Sequence, residues 1–137
     1  MIKLTSQEMK FITLFERITK STVKDCIINE NEKEITFIVK EGDMGLAIGR
    51  KGTIINRIKT EMGREIHVYE HSEDPSKFIQ NLFFPVKIDK IEIDGEQAKI
   101  TIDQKFKKRA IGKNGKKINT VKEITSRHYP INDIKII

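Results

Sequence analysis

The feature that most restricts the fold is a gapless internal repeat. Displacing the 137-residue chain by 63 positions lays Ala47-Ile48-Gly49-Arg50-Lys51-Gly52 over Ala110-Ile111-Gly112-Lys113-Asn114-Gly115. The same register pairs Ile55 with Ile118, Asn56 with Asn119, Ile58 with Val121, Lys59 with Lys122 and Arg64 with Arg127. Agreement carried this far past the glycines marks a duplicated structural unit rather than a chance motif. The length allows one ordinary domain or two of about 65 residues each, and the repeat selects two. We place them at residues 1–72 and 73–137, joined by the short segment His71-Ser72-Glu73-Asp74-Pro75, which is too short for independent tumbling.

Both halves carry the same order of elements. Met9, Ile12, Phe15 and Ile18 recur at helical spacing in Ser6 to Thr19, a helix that Ser6 is placed to cap. Val23 to Asn29 and Glu34 to Lys40 are apolar and β-branched, and the polar turn Glu30-Asn31-Glu32-Lys33 between them makes a hairpin. A short helix, Met44 to Ile48, leads into the glycine turn. A second helix from Thr53 to Met62 ends at Gly63, and Glu65 to Glu70 alternates as a half-buried strand does. In the second half the corresponding segments are Ser76 to Phe83, Val86 to Ile93, Ala98 to Ile102 after an Asp94-Gly95 turn, Lys105 to Ile111, Lys116 to Thr125 and Asn132 to Ile136. The fold class expected is α+β: two tandem units of order α-β-β-α-α-β, each a three-stranded sheet packed against three helices.

Charge then bears on function. The chain has 26 Lys and Arg against 20 Asp and Glu, a net charge of +6. Before Ser72 the balance is 12 basic to 11 acidic, and after it 14 to 9. Lys105, Lys107, Lys108, Arg109, Lys113, Lys116, Lys117 and Lys122 follow one another with no acidic residue among them, a candidate polyanion contact that competes with a merely solvated helix face.

A single Gly-x-x-Gly arises by chance about 0.6 times in a chain of this size. Gly42-Asp43-Met44-Gly45 is such a case, since it is acidic and aligns with Lys105-Phe106-Lys107-Lys108, and it reads as a turn and helix start. Gly49 to Gly52 and Gly112 to Gly115 differ. Both follow Ala-Ile, both join two expected helices, and both hold polar or basic residues between the glycines. A glycine link of this kind lets a phosphate backbone lie against the main chain where a β-carbon would obstruct it. The following helix begins there, and its N–H groups and positive dipole end favour an anion. Arg50, Lys51 and Lys113 add charge, and Asn114 donates hydrogen bonds. Ile48 and Ile55, with Ile111 and Ile118, are candidates for an apolar floor under unstacked bases, their competing role being ordinary core. Main-chain groups of each last strand are then available to base edges. The geometry accepts a single strand, because a duplex hides its base faces.

At these residues the sequence resembles tandem KH domains, whose motif is an Ile-Gly-x-x-Gly loop between two helices, and the element order is similar to their prokaryotic, type II form. Over residues 4 to 137 it resembles the archaeal NusA-like transcription factors, short proteins of two KH domains. The resemblance implies that Gly49, Arg50, Lys51 and Gly52, and Gly112, Lys113, Asn114 and Gly115, clamp about four nucleotides per domain. Arg109, Lys116 and Lys117 join the expected RNA contacts through the basic run. The resemblance also implies regulation of transcription elongation, termination or antitermination, with RNA polymerase or the elongation complex as a further partner. A ribosome-associated or ribosome-assembly KH protein is the alternative, and an RNA-processing enzyme or its cofactor a more distant one.

Other chemistries find no support in the residues. Walker and dinucleotide glycine motifs are absent, and no nucleophile has an identifiable partner, so no enzyme, cofactor or catalytic residue is expected. His67 and His71 fall on a strand and its exit, where that spacing does not converge on a metal; no metal site is expected. His128 reads as a loop residue. Phe11, Phe15, Phe37, Phe78, Phe83, Phe84, Phe106, Tyr69 and Tyr129 read mostly as core, leaving no stacking aromatics. Cys26, the one cysteine, reads as a buried strand residue in a reducing, cytoplasmic setting. No apolar run nears the roughly 18 residues of a membrane span, and Met1 to Ser6 lacks a signal-peptide core, so a soluble, unprocessed protein without membrane contact is expected; a monomer is the default expectation, since no residue pattern sets the oligomeric state.

Overall fold

The computed structural model describes residues 2–31 and 33–137; Glu32, in the turn expected at Glu30 to Lys33, lies outside them. The chain divides into two compact units, 2–72 and 73–137. In the first, helix α1 (Ser6–Thr19) precedes strands β1 (Val23–Asn29) and β2 (Glu34–Val39), helices α2 (Met44–Ile48) and α3 (Thr53–Met62), and strand β3 (Glu65–Glu70). In the second, α4 (Pro75–Phe83) precedes β4 (Lys90–Asp94), β5 (Gln97–Thr101), α5 (Lys107–Ile111), α6 (Lys116–His128) and β6 (Asp133–Ile136).

Each sheet has three strands, in the order β1-β2-β3 and β4-β5-β6. The hairpin pair is antiparallel and the last strand joins the middle one in parallel, with Phe37 opposite Val68 and Ala98 opposite Ile134. A parallel partner needs a crossover, and the glycine-linked helix pair supplies it. The middle strands therefore lie inside, and β3 and β6 form edges.

The core of the first unit joins the faces that periodicity marks. Phe15 of α1 stacks on Phe37 of β2, with ring centroids 4.1 Å apart. Cys26, Ile35, Val39, Ala47, Ile58, Ile66 and Val68 complete a buried cluster, against which Ile48, Ile54 and Ile55 pack. In the second unit Phe78, Ile100, Ala110 and Val121, the repeat partners of Phe15, Phe37, Ala47 and Ile58, are buried as well. Among the described residues no helix is long and apolar enough to cross a membrane.

Several boundaries move for local reasons. Thr5, not Ser6, caps α1: its hydroxyl accepts from the Glu8 N–H at 3.1 Å, and its own N–H donates to Glu8 Oε1 at 2.7 Å. This reciprocal pair satisfies two otherwise orphaned amides. Asp74 caps α4, so Pro75 occupies the first helical position and the helix starts one residue before Ser76. The segment from Val86 does not begin a strand, because the Val86 N–H donates to the Phe83 carbonyl in a turn, and pairing starts only at Lys90. Helix α6 continues to His128, three residues past Thr125, and β6 starts at Asp133. His128 is thus helical, its ring edge-on to Phe78 at 5.1 Å, rather than in a loop. The longer helix also dissolves the pairing of Arg64 with Arg127: Arg64 follows the Gly63 helix stop, whereas Arg127 is inside α6.

Candidate nucleic-acid interface

The two glycine turns have the same backbone. Gly49 lies at φ 75°, ψ 173° and Gly112 at 79°, 171°. Lys51 and Asn114 are left-handed at 55°, 29° and 57°, 27°, followed by Gly52 at 74°, 16° and Gly115 at 76°, 12°. Agreement within a few degrees at each residue shows that the repeat preserves a conformation as well as a sequence. The turn closes on itself, the N–H of Gly52 donating to the Gly49 carbonyl at 3.2 Å and that of Gly115 to Gly112 at 3.2 Å.

The two glycines of each turn are required for different reasons. A β-carbon on Gly49 would overlap the Ile54 side chain and stand 2.9 Å from its backbone nitrogen. On Gly112 it would stand 2.7 Å from both the nitrogen and Cβ of Lys117. The obstruction at the first glycine is the protein's own following helix, which packs against the turn. At Gly52 and Gly115 the nearest atoms are 3.7 and 3.6 Å away, ordinary contact distances, so a β-carbon fits and only the positive φ favours glycine. The less crowded side of the loop is therefore at the second glycine, where α3 and α6 begin without a side-chain cap. The first amide of each helix is taken up within the turn, Thr53 N–H donating to the Arg50 carbonyl and Lys116 N–H to the Lys113 carbonyl, so what the helix start offers an anion is its positive dipole end.

Arg50, Lys51, Lys113 and Asn114 are exposed on these turns. Arg50, Lys51, Lys107, Lys108, Arg109 and Lys113 form no ion pair within the described chain. Lys122, by contrast, is drawn to Asp133 at 3.4 Å, away from the rest of the basic run. Ile48, Ile55 and Ile118 are half-buried, and Ile111 is 39% exposed. Ile48 and Ile55 thus share their surface between core and solvent, as the floor of a groove does. Lys116 is half-buried at the start of α6. Lys117 occupies the place that Ile54 holds in the first unit, with its Cβ against the turn; burial pushes its ammonium down to about 8. The edge strands β3 and β6 pair on one side only, leaving main-chain groups on the other. His67 lies on β3, its Nε2 3.7 Å from Glu34 Oε1.

Two aromatic rings escape the core. Phe84 is 71% exposed in the turn after α4, and Phe106 is 36% exposed ahead of α5. Phe84 falls between expected elements, whereas Phe106 falls inside the expected helix Lys105 to Ile111, and nothing in the sequence marks its exposure.

A mixed sheet crossed by two helices that meet at Gly-x-x-Gly, present twice in order α-β-β-α-α-β, defines a tandem KH-domain protein. A family model for the KH domain matches residues 12–89, running past the end of the first unit, and one for the NusA-like second KH domain matches residues 75–136. The chain is similar to the "Probable transcription termination protein NusA" of Methanocaldococcus jannaschii, 34% identical over 99% of this chain and 75% of the relative. It is also similar to the protein of the same name from Halobacterium salinarum, at 28% identity over 98% of each. The crystal structure of APE1850 superposes with a TM-score of 0.83, at 34% identity, over 98% of this chain and 100% of the other. The chain belongs to the NusA-like family of KH-domain proteins.

Proposed function

We propose that this protein binds single-stranded RNA without catalysing a reaction on it, and acts in the cytoplasm on transcription elongation, termination or antitermination. The observation that carries the RNA assignment is the recurrence of one turn conformation with free cations and an uncapped helix start at both copies. Arg50, Lys51 and Gly52, and Lys113, Asn114 and Gly115, hold the phosphates at the less crowded side. Gly49 and Gly112 shape the turn, Ile48, Ile55, Ile111 and Ile118 support the bases, and Arg109, Lys116 and Lys117 add positive potential. Both loops take the same strand, so the second contact benefits from the effective concentration the first creates. The transcriptional role rests on the names of the relatives, and contact with RNA polymerase is part of the same proposal.

The test is binding of single-stranded RNA at fixed salt to the full chain and to the double variants R50D/K51D and K113D/N114D. Each is expected to weaken binding at least tenfold with an unchanged circular dichroism spectrum. Unaltered affinity in both would refute the loop assignment. Association of the tagged chain with polymerase rather than with ribosomal subunits checks the process.

A further inference from the structure

The helix that precedes the second loop differs from its counterpart in one respect that the repeat makes measurable. Asp43 and Phe106 occupy the same place, immediately before α2 and α5, with nearly the same backbone: φ −95°, ψ 0° and φ −106°, ψ −2°. In the first unit the carboxylate at this place accepts from the Thr22 N–H at 2.8 Å. In the second unit a phenyl ring stands there, 36% exposed, with Lys105 Nζ 5.2 Å from its centroid. Lys107, Lys108 and Arg109 follow without ion pairs of their own.

We infer that Phe106 is a base-stacking platform that extends the RNA path of the second unit beyond its glycine loop. This rests on the RNA-binding reading above and adds a subsite to it. Helix α5 spans about 9 Å from Phe106 to Gly112 at 1.5 Å per residue, which places the ring within reach of a nucleotide neighbouring those at the loop. An exposed ring among unpaired cations suits a single strand, because the phosphates meet the cations while a base covers the ring. A protein partner would instead have to bury four cations around one phenyl group.

The platform is also held in place before any ligand arrives. Asp103 accepts from the Lys105 N–H at 3.1 Å, and the Phe106 N–H donates to the Asp103 carbonyl at 2.9 Å, fixing a 3₁₀ turn over Gln104–Phe106. Lys105 Nζ lies over one face of the ring, so a base stacks on the opposite face or displaces the ammonium. The first unit has no equivalent: Asp43 would repel a phosphate at the same place. The two units therefore grip RNA unequally, and the second reaches further along the strand.

The experiment uses the full chain and two labelled 12-nucleotide probes, oligouridine and oligoadenylate. F106L keeps an apolar side chain but removes the π-face, and is expected to weaken binding about 5- to 100-fold, whereas F106Y stays within about threefold of the parent. Because the chain contains no tryptophan, F106W installs a sole indole whose fluorescence is expected to be quenched as RNA saturates the protein. If K113D/N114D weakens binding while F106L does not and the indole is unquenched, the platform is refuted and the RNA reading survives. If the parent chain binds neither probe, the RNA reading fails and the platform with it. Should F106L lower the melting temperature, the parent chain crosslinked to 4-thiouridine-bearing oligouridine decides. Crosslinks on Phe106 support the platform, and crosslinks confined to the loop peptides overturn it.

Discussion

Replacing the first and second glycine of one loop by alanine should have sharply unequal effects on stability. Gly49 combines φ 75° with ψ 173°, a region reserved for glycine, and an alanine there costs about 1–3 kcal/mol in backbone strain. The new methyl also overlaps the Ile54 side chain and stands 2.9 Å from the Ile54 nitrogen. The start of α3 must move to clear it, and overpacking of this kind adds about 1–3 kcal/mol. Together these give about 4 kcal/mol for G49A. At Gly52 the left-handed conformation alone costs about 1–2 kcal/mol, since the nearest atom to an added β-carbon is 3.7 Å away. Urea titrations followed by circular dichroism should therefore show G52A still cooperatively folded and G49A losing most of the stability of the first unit. The same contrast is expected between G115A and G112A, where the obstruction is Lys117 at 2.7 Å. Equal destabilisation by G49A and G52A would refute the claim that the first glycine answers to the protein's own packing and the second to the outward face.

Lys117 provides a pH-dependent test. Its ammonium is pushed from 10.5 to about 8 by burial, so between those values the unfolded chain binds more protons and stability rises with pH; the penalty is fully present below about pH 8. The full displacement corresponds to about 3 kcal/mol, which solvent on the exposed part of the side chain reduces to about 1–2 kcal/mol. K117I, which restores the residue type of the first unit, should stabilise the second unit by that amount at pH 7 and flatten its stability between pH 8 and 10, as read by urea titration at several pH values. The unpaired cations before the second loop should dominate the salt response: K107Q/K108Q/R109Q is expected to reduce the slope of log affinity against log salt more than R50Q/K51Q, by about 0.7 for each phosphate no longer neutralised. A larger change in R50Q/K51Q would contradict it. T5A should cost about 1 kcal/mol of first-unit stability through the missing cap while S6A is nearly neutral, measured by thermal melting.

The elements that periodicity places correctly are those whose cause is local. Met44–Ile48, Thr53–Met62 and Glu65–Glu70 stand where the apolar spacing and Gly63 put them, because a helix face and a glycine stop are written in neighbouring residues. The cap at Thr5 escapes a reading by residue type although the spacing carries it: Glu8 stands three residues after Thr5 and completes a capping box, whereas Met9 stands three after Ser6. The false strand start at Val86 comes from β-branched composition overridden by a turn hydrogen bond to Phe83. Residue type alone sends Phe106 to the core, since a one-dimensional pattern does not reveal which side of a one-turn segment faces solvent.

The duplication, the α-β-β-α-α-β order and the two glycine turns follow from the chain alone, because repeats and turn chemistry are local or self-comparing properties. Tertiary structure decided what those turns are pressed against. It set Ile54 behind Gly49 and Lys117 behind Gly112, left room for a β-carbon at Gly52 and Gly115, tied the Asp43 carboxylate to the Thr22 N–H and left the Phe106 ring exposed. Those distinctions depend on close approach between residues five apart across a turn and on which surface a neighbouring strand leaves uncovered, and both arise only once the helices have docked on the sheet.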